Sequence, residues 1–164
     1  MPIFADEKPE RKPNRTKPRD YSRNGAYFIT VVTKEREAFL GGIAEQTMML
    51  SPEGKITEDC IRKIERIYPS VMVDAYVIMP NHVHMLLVML DEIRNPTLSR
   101  IIQQWKGAIS KEASLSFWQT HFYDHIILGP ERYREVKQYI KSNPAKWEKD
   151  RFHPSNPFNV PDDP

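Results

Sequence analysis

Two histidines one residue apart, His82 and His84, stand in the segment Ala75-Tyr-Val-Ile-Met-Pro-Asn-His-Val-His-Met-Leu-Leu-Val88. Side chains on a strand alternate faces with period two, so both imidazoles point to one side and Val83 to the other. Two imidazoles on a rigid apolar strand make half of a site for a divalent metal. The same spacing has a structural reading, in which the ring nitrogens bond neighbouring groups, and spacing alone does not separate the two. A second pair lies nearer the C-terminus. Tyr139 and Asn143 are four residues apart in Tyr139-Ile-Lys-Ser-Asn-Pro144, which sets them on one helix face, one turn apart. A phenol can serve as a nucleophile and an amide oxygen as a neutral metal ligand. The structural alternative is a half-buried tyrosine followed by an asparagine cap before proline.

These residues need elements to hold them. Residues 27–33, Tyr-Phe-Ile-Thr-Val-Val-Thr, are β-branched and aromatic and read as a strand. Ser51-Pro-Glu-Gly54 reads as a turn. Ile56, Cys60, Ile61, Ile64 and Ile67 recur at helical spacing and predict a helix ending at Pro69, with Cys60 a small core residue. Residues 71–79 predict a second strand, and Pro80-Asn81 a tight connection to a third at 82–90. Asn95, Pro96 and Thr97 open a second helix, whose stripe is Leu98, Ile101, Ile102, Trp105, Ala108 and Ile109. Residues 122–128 form a fourth strand, and Gly129-Pro130 opens a last helix with Tyr133, Val136 and Ile140 on its buried stripe. The order is β-α-β-β-α-β plus an extra C-terminal helix. That order predicts an α+β, ferredoxin-like sandwich with an antiparallel sheet. The first and third strands are then central, both main helices share one face, and the extra helix is free to pack beside the histidines on the other.

The 164 residues suit one domain, and 40% hydrophobic with 28% charged content is ordinary for a globular protein. No apolar run is long enough to span a membrane, and the first residues lack the apolar stretch of a signal peptide. Cys60 is the single cysteine, which excludes an intrachain disulfide and a cysteine-rich zinc finger and fits a reducing, cytoplasmic location. A net charge of +2 indicates no partner by itself, but its distribution does. Arg11, Lys12, Arg15, Lys17 and Arg19 occur without an intervening acid and are broken by prolines. Residues 1–24 therefore read as a mostly disordered basic arm, either a phosphate-binding arm or a solvated tail. Residues 148–164 read as an irregular, proline-rich tail.

Met79-Pro-Asn-His-Val-His-Met-Leu-Leu87 resembles the His-hydrophobe-His motif of the HUH single-strand endonucleases. Trp118-Gln-Thr-His-Phe-Tyr-Asp-His125 and Tyr139-Ile-Lys-Ser-Asn-Pro144 resemble two further signatures of the REP-associated tyrosine transposases, relatives of the small insertion-sequence transposases. The three come in the family's order and span most of the chain. The resemblance implies a catalytic domain over residues 25–147, with His82 and His84 as metal ligands and Tyr139 as the nucleophile. Asn143 matches the position where relatives place a third ligand. The implied cofactor is Mg²⁺ or Mn²⁺ and the implied partner is single-stranded or hairpin DNA from repetitive extragenic palindromes. A bacterial, nucleoid-associated protein acting as a monomer or homodimer follows from the same resemblance. In the implied reaction the tyrosine oxygen attacks the scissile phosphate, the 3′-hydroxyl leaves, and a 5′-phosphotyrosine remains, from which strands can be rejoined. A phenol, with a pKa near 10 in isolation, must lose its proton as it attacks. Candidate phosphate contacts are Arg11, Lys12, Arg15, Lys17, Arg19, Arg23, Arg100 and Lys106, the arm foremost. Two other readings stand beside this one: a non-catalytic ferredoxin-like nucleic-acid-binding module, and a metallohydrolase using the histidines with Asp74 or Asp91.

Overall fold

Alternating apolar residues, many of them β-branched or aromatic, make β1 (Gly25–Val32), buried along nearly its whole length. The computed structural model describes residues 25–90 and 96–156. The basic arm at 1–24, with Arg11, Lys12, Arg15, Lys17, Arg19 and Arg23, lies outside the described residues, as do Asp91, Asn95 and the end of the tail. A single 3₁₀ turn, Lys34–Arg36, follows β1. Then comes a hairpin that the sequence pattern did not announce, β2 (Gly41–Ala44) paired with β3 (Thr47–Leu50). Its turn places Glu45 and Gln46 at φ 50° and 64°. Such turns are usually signalled by Asn-Gly or Asp-Gly, and neither is present here.

The helix α1 (Pro52–Ile67) begins one turn earlier than its apolar spacing predicted, through Ser51-Pro-Glu-Gly54. Ser51 is its N-cap, accepting from the Gly54 amide at 3.0 Å, and Pro52 occupies the first helical position, where a missing N–H costs nothing. Gly54 is required: a Cβ there would stand 2.1 Å from the Leu40 carbonyl oxygen. Ile67, expected in the buried stripe, is 61% exposed on the last turn. The strands β4 (Val71–Met79) and β5 (His82–Met89) follow, joined by Pro80-Asn81. Then come α2 (Leu98–Ala113), capped by Thr97, β6 (Tyr123–Ile127) and α3 (Pro130–Ser142). On α2 the expected stripe is buried except at Ala108, which is exposed. A second 3₁₀ segment, Pro144–Lys149, and turns through residue 156 complete the described chain.

The main sheet has the order β4-β5-β1-β6, with every pairing antiparallel, so the first and third strands of the predicted set are central. One face carries Tyr27, Ile29, Val31, Val83, Met85 and Leu87 against Ile61 and Ile64 of α1 and Ile101, Ile102 and Ile109 of α2. The other face carries Ala26, Leu86, Val88 and Ile127 against Val136 and Ile140 of α3. His82 and His84 share the strand side of Leu86 and Val88, so they face α3 and not the two main helices.

Candidate functional site

β5 is buried at every residue. His82 is paired with Val32 and Met79, and His84 with Thr30 and Val77, in the middle of the sheet. Each ring has its Nδ1 held by a neighbour. The Thr30 hydroxyl lies 2.8 Å from His84 Nδ1. Asn81 Oδ1 lies 2.8 Å from His82 Nδ1. The orientation of the Asn81 amide is fixed, because its Nδ2 donates to two carbonyls, Arg36 at 3.0 Å and Phe152 at 2.8 Å. Its oxygen therefore faces His82 and can only accept, so His82 Nδ1 carries the proton and Nε2 presents a lone pair. The Arg36 carbonyl is delivered by a turn in which Glu35 and Arg36 sit at φ 52° and 55°, a conformation that non-glycine residues hold only against strain.

The Nε2 atoms of His82 and His84 are buried and have no hydrogen-bond partner among the described residues, and the same is true of Asn143 Oδ1. Asp150 Oδ2 lies 3.6 Å from His82 Nε2, while its Oδ1 accepts from the Phe152 amide at 2.8 Å. Among the described residues His82, His84 and Asp150 form a cluster whose ligand atoms all lie within 4.8 Å of one another. Ligands each about 2.1 Å from one ion stand roughly 3 to 4 Å apart, so the cluster is near the spacing a metal takes and would close slightly around one. The electrostatics agree. Burial, and then the charge of Arg151, hold the His84 pKa down to about 3. Burial, His84 and the nearby Arg151 and Arg36 hold His82 well below the usual imidazole range. Both rings are neutral at pH 7, the form that binds metal. Burial pushes the Asp150 carboxyl up, against the opposing pull of the Phe152 amide and the Arg151 charge. The His82 lone pair, the unpaired His84 nitrogen and a buried carboxylate leave a place that a cation would satisfy.

The wall and roof of this cluster are aromatic. The His84 ring stacks on Phe28 at 5.0 Å, and its other neighbour is the Tyr139 ring at 5.4 Å. Phe152 lies 4.6 Å from the His82 ring and Trp147 6.2 Å. The histidines are 0% and 2% exposed, whereas Tyr139, on α3, is 42% exposed at the edge of the cluster. Asn143, one turn beyond, caps α3 and is buried. The structure thus gathers Tyr139, His82 and His84 on one side of the sheet.

Arg100 and Lys106 are elsewhere, on α2 against the opposite face. The Lys106 ammonium is bonded to the carbonyls of Gln119 and Thr120 at 2.6 and 3.1 Å, a tie between α2 and the segment leading to β6. Asp74 also stands apart from the histidines, bonded to Tyr133 and to Lys137 on α3.

A solved structure of a REP-associated tyrosine transposase bound to a REP hairpin superposes with a TM-score of 0.64, at 24% identity, over 79% of this chain and 72% of that one. The fold is that of a REP-associated tyrosine transposase. A transposase candidate from Deinococcus radiodurans matches with a TM-score of 0.50 at 18% identity, over 77% of this chain and 95% of that one. An uncharacterized protein of Haemophilus influenzae is 28% identical over 167 residues, 87% of this chain and 93% of that protein. No family model matches. The fold expected from the three motifs is therefore the fold observed.

Sequence reasoning missed Asp150 and Asn81. Asp150 belongs to the proline-rich segment read as an irregular tail. The segment is irregular, yet Asp150 and Phe152 are buried in it. The available signal was the mixture Asp150-Arg-Phe-His153, an acid and an aromatic together in an otherwise polar stretch. Asn81 had been read only as a turn residue.

Proposed function

We propose that this protein cleaves single-stranded DNA beside a hairpin, with Tyr139 as the attacking group and a divalent ion held by His82, His84 and Asp150. The observation that carries this reading is the meeting of two partnerless imidazole nitrogens and a buried carboxylate, with a half-exposed tyrosine ring 5.4 Å from His84. Asn143, its amide oxygen buried and partnerless, is proposed as a further ligand on the same helix as Tyr139. A donor set of two imidazoles and a carboxylate suits Mn²⁺ better than Mg²⁺, which prefers oxygen. When bound, the ion supplies Lewis-acid polarisation of a phosphate oxygen. Asn81 keeps the His82 Nε2 atom aimed and deprotonated, and Thr30 holds the His84 ring in place. The Tyr139 oxygen attacks phosphorus in line and gives up its proton, the P–O bond to the 3′-hydroxyl breaks, and that hydroxyl takes a proton from solvent. The DNA remains joined through its 5′-phosphate to Tyr139, and a second strand's hydroxyl can reverse the step. The solved relative's REP hairpin supports a hairpin as the substrate class. The basic arm, with Arg11, Lys12, Arg15, Lys17, Arg19 and Arg23, is proposed to contact the backbone.

A second reading rests on one observation. Both histidines are covered, with Phe152 and Trp147 over His82, so a phosphate reaches the cluster only if the segment around Asp150 moves. A chain in which it never moves is a non-catalytic nucleic-acid-binding module. Labelled hairpins from palindromes near the protein's own gene, incubated with Mn²⁺, Mg²⁺ or EDTA and run on a denaturing gel, decide between the two. The cleavage reading expects a metal-dependent protein–DNA band that Tyr139→Phe abolishes while hairpin binding persists. Tight binding without such a band in either metal selects the binding module.

A further inference from the structure

The strand β4 contains one residue too many for a regular ladder. Val73 pairs with Leu87 and Ala75 with Leu86, so Asp74 is the extra residue of a β-bulge. The two cores show what the insertion does. Val73 and Tyr76 pack with α1 and α2, while Met72, Ala75 and Val77 pack with α3. Counted from Met72, Asp74 keeps the α3 face, and the bulge lets Ala75 take that face as well. Toward α3 the Asp74 carboxylate accepts the Tyr133 hydroxyl and pairs with the Lys137 ammonium at 3.1 Å. Tyr133 and Lys137 are i and i+4 on one side of α3, so one carboxylate grips both at a single helix position. The pair is partly buried, with side-chain exposures of 20% for Asp74 and 37% for Lys137.

We infer that Asp74 is a positioning residue for Tyr139: the bulge is a latch that fixes the rotation and register of α3 on its own sheet and so holds the Tyr139 ring against His84. The inference rests on the cleavage reading above. Val136 and Ile140 also anchor α3, but apolar contact is non-directional and tolerates a helix turning or sliding. The carboxylate grip does not tolerate it. Tyr139 lies six residues beyond Tyr133, roughly 9 Å along the axis, so a small rotation at the latch becomes a displacement at the phenol. Asp74 grips α3 at Tyr133 and Lys137, so the latch acts on Tyr139 through the helix.

The test uses the full chain carrying Asp74→Asn, Asp74→Ala or Lys137→Met. Misplacing a reacting group by an ångström lowers rates by about 10²-fold, so Asp74→Ala is expected to cut the rate of adduct formation at saturating hairpin by that order. Hairpin affinity and Mn²⁺ affinity are expected to change less than about twofold, which splits kcat from binding. Asp74→Asn keeps an acceptor for Tyr133 and is expected to lose less. Amide exchange is expected to speed up in residues 133–142 and to stay unchanged in α1 and α2. The charge swap Asp74→Lys with Lys137→Asp is expected to recover part of the rate. An unchanged rate with unchanged exchange in α3, or exchange speeding up equally in all three helices, overturns the latch. A wild-type chain that forms no adduct on any hairpin overturns the cleavage reading alone, since the exchange comparison still decides the docking of α3.

Discussion

The two faces of the sheet are built from the same strands and could hardly differ more in content. The face under α1 and α2 buries isoleucine, valine, leucine, methionine and paired tryptophans in one continuous core. The face under α3 has a short apolar patch that gives way, along β1 and β5, to Thr30, His82 and His84, then to Asn81, Asn143 and Asp150. All of these polar groups are buried, and three of their atoms have no partner. Burying unpaired polar atoms costs on the order of 1–3 kcal/mol each. A fold tolerates that on one face because the other supplies the stability. The lesson is a division by strand parity: even-numbered positions of β5 at its start carry buried polar side chains with unpaired atoms, odd-numbered ones serve packing.

The division breaks most sharply at the histidines. His84→Ala is expected to abolish Mn²⁺ binding at concentrations that saturate the wild type, measured by titration calorimetry with the metal alone. It is also expected to destabilise the metal-free protein by less than a core deletion of similar size, because the cavity and the lost Thr30 bond are partly offset by the removal of an unpaired buried nitrogen. A metal-free variant destabilised as much as a core deletion would show that His84 is a packing residue and dissolve the contrast.

The opposite substitution sharpens it. Ile101 is fully buried between α2 and the sheet. Ile101→Ala removes three methyl or methylene groups from a packed site and is expected to cost about 2–5 kcal/mol in denaturant unfolding. Mn²⁺ affinity below the new melting temperature should be unaffected. A parallel loss of metal binding would mean the two faces are coupled.

Acid separates the faces without mutation. His84 has a folded pKa of about 3 against an ordinary value of 6.5, and His82 is shifted the same way. The unfolded chain therefore binds protons that the folded chain refuses, and stability is complete above pH 6.5 and falls as pH drops toward 3. The slope is about 1.4 kcal/mol per pH unit for each ring. Asp150 is shifted upward and has the opposite sign, retaining a proton in the fold above 3.8 and offsetting part of the loss in the lower half of that window. Urea melts in EDTA from pH 7.5 to 4.5 should show the decline, and His84→Ala should flatten it. A wild-type curve that is flat below pH 6.5 would sink the claim that these rings are neutral and unpartnered.

Asn81 tests how far the site's support reaches. Asn81→Ala removes the acceptor that fixes the His82 tautomer and the two donors to Arg36 and Phe152. Supporting groups of this kind are worth about 10- to 100-fold in metal affinity, and that is the expected loss in the same calorimetric titration.

These residues also mark where the sequence was legible. His-x-His told its own story because a strand's period is fixed, and the helix stripes told theirs for the same reason. Helical spacing put Tyr139 and Asn143 on one face, the family resemblance set them at the histidines, and Tyr139 does stand at His84. Asp150 could not be found that way. It reaches the cluster from a 3₁₀ segment and turns that have no period, across 66 residues from His84. The β2–β3 hairpin escaped for a related reason, being two four-residue strands joined by an uncharacteristic turn. Asp74 is the subtlest case, since a single inserted residue puts Asp74 and Ala75 on one face, and alternation counted back from Val77 misplaces it.

The smallest expected effect concerns which face the DNA touches. Arg100 is exposed on α2, on the side of the sheet away from the histidines, and the Lys106 ammonium is already committed to two carbonyls. Each phosphate contact by a lysine or arginine contributes about 0.7–0.9 to the slope of log affinity against log salt. If DNA lies only on the histidine face, Arg100→Ala leaves that slope unchanged and alters stability by less than about 0.5 kcal/mol, as for an ordinary surface position. A slope that falls by nearly one unit would place the backbone across α2. The packing face would then bind substrate as well, and the separation of the two faces would hold for chemistry but not for recognition.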